Sequence, residues 1–198
     1  MDAYLLRIFL EQVKDDCERG LLAIHQLNDA LRSDQKGDPF GPAQSFIHHA
    51  AAVSRIFWPP KNINKPASKR SKHRGETLMA LLLIDNNHGL RSRTLRDHFE
   101  HFDERLDEWA ERSKNRNMIK QLIGPRSAVA GASIADGDII HHYDPETKMY
   151  AFRGEKFDIQ KLADALSDIY ARATDQLKTI AAHRANQQLQ GTPQSGRP

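Results

Sequence analysis

The sequence contains a single cysteine and no apolar run long enough to cross a membrane. Cys17 cannot form a disulfide within the chain, which is typical of proteins from the reducing cytosol. The most apolar run, residues 78–84, is far shorter than the roughly 20 residues that a membrane-spanning helix needs. Acidic residues at Asp2 and Glu11 also argue against a signal peptide. We therefore expect a soluble, cytoplasmic protein with no membrane partner.

The motifs of several enzyme classes are absent as well. The sequence has no glycine-rich nucleotide loop, no G-x-S-x-G nucleophile elbow and no H-E-x-x-H zinc motif. Its histidines include adjacent pairs at 48–49 and 141–142, but neighbouring side chains diverge on a helix or a strand, so neither pair forms a site alone. His98 and His101 could supply two ligands, yet no cysteine cluster supports zinc. We predict neither a metal nor a cofactor.

Apolar residues recur at helical intervals over much of the chain. This pattern predicts a mainly α-helical fold, an antiparallel bundle of four to five helices. The predicted helices cover 3–32, 43–58, 76–86 and 92–114, followed by a last helix that Asp158 caps. We assign residues 1–185 to this helical domain and expect 186–198 to be a disordered tail.

A small β appendage is predicted at about 117–156, before the last helix. Short β-rich runs at 138–143 and 148–153 flank the sequence Asp144-Pro145-Glu146-Thr147, in which proline after aspartate favours a tight turn. These runs predict a β-hairpin. Because a lone hairpin is only marginally stable in water, it should pack on the helices or pair with a third strand at 118–123.

The segment 96–101 brings together three side chains whose chemistry suits a phosphodiester. Arg96 carries a permanent positive charge, and His101 can carry a proton near neutral pH. Asp97 precedes His101 by one helical turn, so its carboxylate can orient the imidazole. Arg96 and His101 lie about 140° apart on an ideal helix. They converge only if Arg96 occupies an irregular first turn or a second subunit completes the cleft; otherwise Asp97 and His101 form a solvated surface pair.

This pattern of arginine, polar residue and histidine resembles the motif of the HEPN superfamily. The wider run 96–109, RDHFEHFDERLDEW, is similar to bacterial HEPN-type proteins. The resemblance implies a helical bundle that dimerises across the motif helix and, in active members, cleaves RNA without a metal. It also implies proton transfer by His101 at the ribose 2′-hydroxyl and charge stabilisation by Arg96 at the phosphate. Polar residues of other helices assist in the family, and Glu11 and Asp15 are candidates.

Residues 59–74 concentrate positive charge and contain three prolines and no acid. We predict an exposed loop with a set of candidate RNA-binding residues: Lys61, Lys65, Lys69, Arg70, Lys72 and Arg74. The absence of an aromatic residue gives no indication of single-strand specificity. Two other interpretations stay open. The segment is either a solvated loop, or it docks on the acidic helix that follows Asp97, in the same chain or in a dimer mate.

These observations favour a HEPN-like, metal-independent endoribonuclease with Arg96, Asp97 and His101 as catalytic residues. It would be the toxin-like half of a pair or a stress or defence component, with RNA as substrate, an antitoxin protein as partner and a homodimer formed through the motif helix. The alternative is a non-catalytic helical protein that uses its acidic and basic segments for self-association or to bind a protein. A metal-dependent hydrolase using His98 and His101 is the third hypothesis.

Overall fold

The computed structural model describes residues 1–32, 37–60, 65–92, 102–113, 116–129 and 134–190. Its helices are α1 (Ala3–Arg32), α2 (Phe40–Phe57), α3 (Lys65–Leu81), α4 (Phe102–Arg112) and α5 (Ile159–Gln190). Its strands are β1 (Ile119–Ile123), β2 (Ile139–Asp144), β3 (Met149–Phe152) and β4 (Glu155–Asp158). The mainly helical class and the small sheet before the last helix are thus confirmed. Within these ranges, no helix is both long and apolar enough to span a membrane.

The core lies where α1, α2 and α5 pack against one another. Leu10 and Val13, on the apolar stripe of α1, are fully buried. Phe46 of α2 is fully buried as well. Gly20 lets α1 approach its neighbours closely, since a Cβ there would lie 2.7 Å from Cδ2 of Leu166 on α5. These three helices form the scaffold on which the other elements rest.

The sheet has the order β1-β2-β3-β4. β2 and β3 form the predicted hairpin, with Asp144 opposite Met149, and β1 joins it as the predicted third strand. β1 runs parallel to β2, whereas β4, which the sequence did not indicate, returns antiparallel to β3. The sheet buries four aromatic side chains on the helical core, namely Tyr143, Tyr150, Phe152 and Phe157. This packing stabilises a hairpin that would be marginal alone.

The basic segment is helical, so the prediction of an exposed loop over 59–74 is wrong from residue 65 onward. Pro66 occupies the second position of α3, where the missing N–H would have no partner within the helix. The residues after it include good helix formers such as lysine, arginine and alanine. The apolar helix predicted at 76–86 is the C-terminal part of α3, which ends at Leu81. Lys61 lies outside the described residues.

Three predicted helix ends also differ from the structure. α2 begins at Phe40 rather than 43, and just before it Asp38 Oδ1 accepts a hydrogen bond from the Phe40 N–H at 2.9 Å. Ser92 has a non-helical backbone, so the predicted motif helix does not begin at residue 92, and α4 is described only from Phe102. α5 continues through Gln190, past the predicted start of a tail at 186, and 191–198 lie outside the described residues.

A carboxylate–imidazole pair joins α1 to α2 inside the core. Asp16 is 8% exposed, and its Oδ1 lies 3.0 Å from Nδ1 of His49. Its second oxygen accepts a hydrogen bond of 2.8 Å from the Gln12 side chain. Both oxygens of the carboxylate are thus satisfied, as burial of a charge requires.

We expect Asp16→Ala to lower the free energy of unfolding by about 2 kcal/mol, because it removes hydrogen bonds to a buried charged group. Urea denaturation of Asp16→Ala, His49→Ala and the double variant should give a coupling energy of about 1 kcal/mol. Glu11→Ala is the matched control on the same helix. Its ion pair with Arg7 is more exposed, so the loss should stay below about 0.5 kcal/mol. Strictly additive effects of the two core variants would contradict the pairing.

Candidate nucleic-acid interface

α3 forms a basic ridge on the surface. Lys65, Lys69 and Lys72 follow a 4, 3 spacing and therefore lie on one helix face, and all three are exposed. The three side chains span about 10 Å of helix axis, which matches about three successive phosphates of one nucleic-acid strand. Arg70 is also exposed and lies on the neighbouring side of the helix. Glu76 adds one negative charge to this helix. Its carboxylate lies 3.7 Å from Nζ of Lys72.

Arg74, the last of the six predicted RNA-binding residues, points into the protein. Its guanidinium donates hydrogen bonds to the carbonyl oxygens of Ile56 (3.2 Å) and Arg55 (3.3 Å) at the end of α2. It also lies over the Phe9 ring of α1, 4.9 Å from the ring centre. Arg74 thus joins α1, α2 and α3, and we leave it out of the candidate RNA surface.

A cleft of about 430 Å³ lies between α3 and the segment 86–91. Its apolar side consists of Phe57, Trp58, Pro59 and Met79, and its polar side chains are Ser68, Ser71, Lys72, Glu76, Asn86 and Arg91. The ridge and the cleft share Lys72, so a strand bound along the ridge reaches the cleft directly. Hydroxyl groups and cations beside an apolar wall can bind the phosphates and the sugar of a nucleotide.

The segment that leads into the predicted motif is fixed at the rim of this cleft. Leu90 is buried, and its carbonyl oxygen accepts a hydrogen bond from the Ser54 hydroxyl of α2. The N–H of Leu90 donates a hydrogen bond of 3.3 Å to Nδ1 of His88. The His88 ring stacks on Trp58, with ring centres 5.9 Å apart. Ser92, the last described residue before the predicted motif, therefore follows a segment that is held beside the cleft.

Arg96, Asp97 and His101 lie outside the described residues, and so do Arg93 and His98. The chain is described again from Phe102, in α4. Near its C-terminal end, the Trp109 indole (2.8 Å) and the Ser113 hydroxyl (3.0 Å) both donate to Oδ1 of Asp138, just before β2. This attachment places α4 against the sheet.

Asp138 was not singled out by the sequence, although it organises the contact between α4 and the sheet. Burial alone would raise the pKa of its carboxyl. The N–H of Ala135 and the donors of Trp109 and Ser113 outweigh this effect and hold the pKa below its ordinary value. The carboxylate is therefore ionised at neutral pH and acts as a hydrogen-bond acceptor for two elements.

The exposed face of α4 is acidic. Asp107, Glu108 and Glu111 are all exposed, and Glu108 lies 3.7 Å from Arg112 one turn later. The prediction of a strongly acidic helix is therefore confirmed for the described part of α4. Such a face repels phosphates, so we leave α4 out of the candidate RNA surface.

The polar residues proposed to assist the motif lie together. Glu11 and Asp15 both line a groove between α1 and α5, and Glu11 also forms an ion pair with Arg7 at 2.9 Å. The buried carboxylate of α1 is Asp16, which the sequence analysis did not single out. Its position on the helix face of Val13 and Gly20 was the signal that could have found it, although no periodicity reveals its hydrogen bond to His49.

Comparisons of the chain with protein-family models, with curated proteins and with solved structures give no match. The function must therefore be inferred from the contacts and charges of this chain. Among the residues that the structure describes, no group of three or more histidine, cysteine or acidic side chains could hold a metal ion. Cys17 is buried, and burial raises the pKa of its thiol far above the ordinary value, which makes it a poor nucleophile.

Two half-buried histidines should make the protein sensitive to acid. Burial lowers the pKa of His88 despite the nearby Asp168, and burial lowers that of His141, whose Nδ1 lies 2.9 Å from the Tyr150 hydroxyl. Nδ1 of His88 accepts a hydrogen bond from the Leu90 N–H, and Nδ1 of His141 shares a hydrogen bond with the Tyr150 hydroxyl. Protonation of His88 at Nδ1 therefore disrupts a native contact, and protonation of either ring places a charge in a half-buried position.

Both pKa values are lower in the folded protein than in the unfolded chain. The stability that the two neutral imidazoles contribute is therefore complete above pH 6.5, the ordinary pKa of histidine, and is lost as the pH falls below that value. Each histidine adds a slope of at most about 1.4 kcal/mol per pH unit. We expect the melting temperature to fall between pH 7 and pH 5. His88→Gln and His141→Gln should flatten the profile, whereas His25→Gln, on the exposed side of α1, should not. Equal profiles for all three variants would contradict this assignment.

Proposed function

We propose that this protein is a HEPN-like, metal-independent endoribonuclease, an antiparallel helical bundle that binds the RNA backbone on α3. The observation that carries the proposal is the row of Lys65, Lys69 and Lys72 on one exposed helix face beside a cleft. Arg91 lies on the opposite side of that cleft, shortly before Arg96 in the chain. Lys72 and Arg91 thus line one cleft, and Arg91 precedes Arg96 by five positions in the chain, which supports the proposal.

The cleavage step needs only the side chains of the motif. His101 removes the proton of a ribose 2′-hydroxyl, and the oxygen attacks the adjacent phosphorus. The bond from phosphorus to the 5′-oxygen breaks, and the leaving oxygen takes up the proton that His101 gives back through water, which leaves a 2′,3′-cyclic phosphate and a 5′-hydroxyl. Arg96 stabilises the additional negative charge on the phosphate, and Asp97 orients His101. Lys65, Lys69 and Lys72 hold the strand and take no part in proton transfer.

A non-catalytic binding protein is the second candidate. Its support is the charge complementarity of the basic face of α3 and the acidic face of α4. The ion pairs Lys72–Glu76 and Glu108–Arg112 lie within one helix each and do not link the two faces. In this alternative, α4 binds the ridge of a second copy or a cationic partner protein. Exposed ion pairs contribute about 0.2–1 kcal/mol each, so a dimer built on charges alone would be weak.

An RNA digest in excess EDTA tests the enzymatic proposal. We expect cleavage of unstructured RNA to continue without metal and to yield fragments with cyclic phosphate ends. Loss of cleavage in EDTA would point to the metal-dependent hypothesis. Absence of cleavage across a broad RNA panel, together with concentration-dependent dimerisation, would favour the second candidate.

Filter binding at several salt concentrations tests the RNA surface separately. The triple variant Lys65→Ala, Lys69→Ala, Lys72→Ala should weaken binding and reduce the slope of log K against log salt by about 2, since each phosphate contact contributes about 0.7–0.9. The matched control replaces three other exposed lysines, Lys148, Lys161 and Lys178, with alanine. It removes the same charge from the turn before β3 and from α5. Equal losses in the two triple variants would show that α3 is not the binding surface.

A further inference from the structure

The opposite flank of α3 contains a second cavity, which the RNA surface does not use. It has a volume of about 610 Å³ and lies between the first turns of α1 and the N-terminal half of α3. This size falls within the range of about 300–1,000 Å³ that is typical of small-molecule sites. Its apolar lining consists of Met1, Leu5, Phe9 and Ala67, and its polar lining of Arg70, Ser71, His73 and Arg74.

The two side chains with a permanent charge that line this cavity, Arg70 and Arg74, are both positive. The guanidinium of Arg70 is exposed at the cavity and makes no hydrogen bond or ion pair with the residues that the structure describes. His73 also lines the cavity, with its Nε2 3.3 Å from the amino group of Met1. No acidic residue is among the described residues that line the cavity. A bound cation would thus be repelled, and a bound anion would be attracted.

Arg74 provides the strongest indication of an anion. Its guanidinium is partly buried, and a charge withdrawn from water is normally paired with an opposite charge. Here its partners are two neutral carbonyl oxygens and the Phe9 ring. The carbonyl oxygens at the end of α2 carry about half an elementary negative charge, which compensates the guanidinium only in part. Within the described chain, Arg74 forms no ion pair with a carboxylate, so a countercharge is missing on the cavity side.

One apolar wall of the cavity reaches the surface. Leu5 lines the cavity and is 41% exposed, so a large apolar side chain remains in contact with water there. A ligand with an apolar body would cover Leu5 and the Phe9 ring while its anionic group reached the arginines.

We propose that this cavity binds a small organic anion with an apolar body, such as a medium-chain carboxylate, with its charge between Arg70 and Arg74 and its apolar part against Leu5 and Phe9. The site lies on the α1 side of α3. It lies apart from the lysine face proposed for RNA, and it meets the cleft beyond that face at Ser71, which lines both.

Isothermal titration of the full chain with decanoate tests this site, with decyltrimethylammonium as the probe of opposite charge. We expect saturable binding of one decanoate and an increase in melting temperature, with no saturable binding of the cation. In NMR spectra, contacts between the decanoate chain and the Phe9 ring should locate the ligand. No saturable binding of decanoate, or equal binding of both probes, would overturn the proposal.

Two variants and one control complete the test. Arg70→Ala should weaken decanoate binding about fivefold, as expected for loss of one partly exposed ion pair. Leu5→Trp should abolish it, because the indole fills the cavity from a position that is already partly exposed. Lys69→Ala removes the same charge from the next residue, about 100° around the helix, and should change binding less than twofold. Equal weakening by Arg70→Ala and Lys69→Ala would overturn the proposed position, even if decanoate binds elsewhere.

Discussion

Replacing Gly75 with alanine is expected to lower the free energy of unfolding by about 3 kcal/mol and to displace α3 from the end of α2. Gly75 is buried where α3 crosses the last residue of α2. A Cβ at this position would collide with the carbonyl oxygen of Phe57 and would lie 3.1 Å from its carbonyl carbon. Backbone atoms cannot move aside as a flexible side chain can, so the cost should lie at the upper end of the 1–3 kcal/mol that is typical of overpacking.

Gly41→Ala is the matched control for this prediction. Gly41 is also helical, near the start of α2, but the nearest atom to a Cβ there is Oδ2 of Asp38 at 3.7 Å, an ordinary contact. Alanine at this position should stabilise the protein by up to about 1 kcal/mol, because it favours the helix over the unfolded chain. Urea denaturation followed by circular dichroism measures both effects. A stabilising effect of both substitutions would show that α3 does not cross α2 as described.

The same crossing decides the shape of the surface that we propose for RNA binding. Arg74 and Gly75 fix α3 on the end of α2, which keeps the lysine ridge beside the cleft and near Ser92. Gly75→Ala should therefore weaken RNA binding even though it removes no charge. The triple lysine variant should weaken binding without changing stability, because Lys65, Lys69 and Lys72 are exposed. Comparison of the two variants separates two effects on RNA binding: the effect of the position of the ridge and the effect of its charge.

The sequence predicts the elements that have a strong local signal. The long stripe of α1 and the turn at Asp144–Thr147 are local patterns, and both the helix and the hairpin are confirmed. β4 has four residues and little alternation, and the parallel pairing of β1 with β2 joins segments that are distant in sequence. Such contacts depend on the packing of the whole chain, so a local pattern does not predict them.

The error at α3 has a specific physical origin. Three prolines and dense positive charge favour a loop, but Pro59 and Pro60 come before the helix and Pro66 occupies its first turn, where proline is tolerated. Charge repulsion between lysines costs only a few tenths of a kcal/mol per pair, which the packing of Leu78 and Gly75 outweighs. The sequence also could not show that Arg74 turns inward while Arg70 stays exposed.

His101→Ala should reduce the rate of RNA cleavage by about 10²–10⁴-fold, the usual contribution of a positioned general acid or base. Arg96→Ala should reduce it by about 10²–10³-fold, as the loss of one group that stabilises transition-state charge does. Both residues lie outside the described residues, so the prediction follows from their chemistry and their place in the chain. Single-turnover cleavage of a short RNA in EDTA measures both rates and keeps substrate binding apart from the chemical step.

The chain supplies its own matched controls for these two variants. Arg93 and His98 repeat the five-residue spacing of Arg96 and His101 without an acidic residue after the arginine. If the motif assignment is correct, Arg93→Ala and His98→Ala should keep cleavage within about tenfold of the wild-type rate, a change too small for loss of a catalytic group. The double variant of Arg96 and His101 should lose less than the product of the single losses, because groups that act on one transition state are not additive. Equal losses at His98 and His101 would instead indicate damage to the segment, and a HEPN-like active site at Arg96, Asp97 and His101 would have to be abandoned.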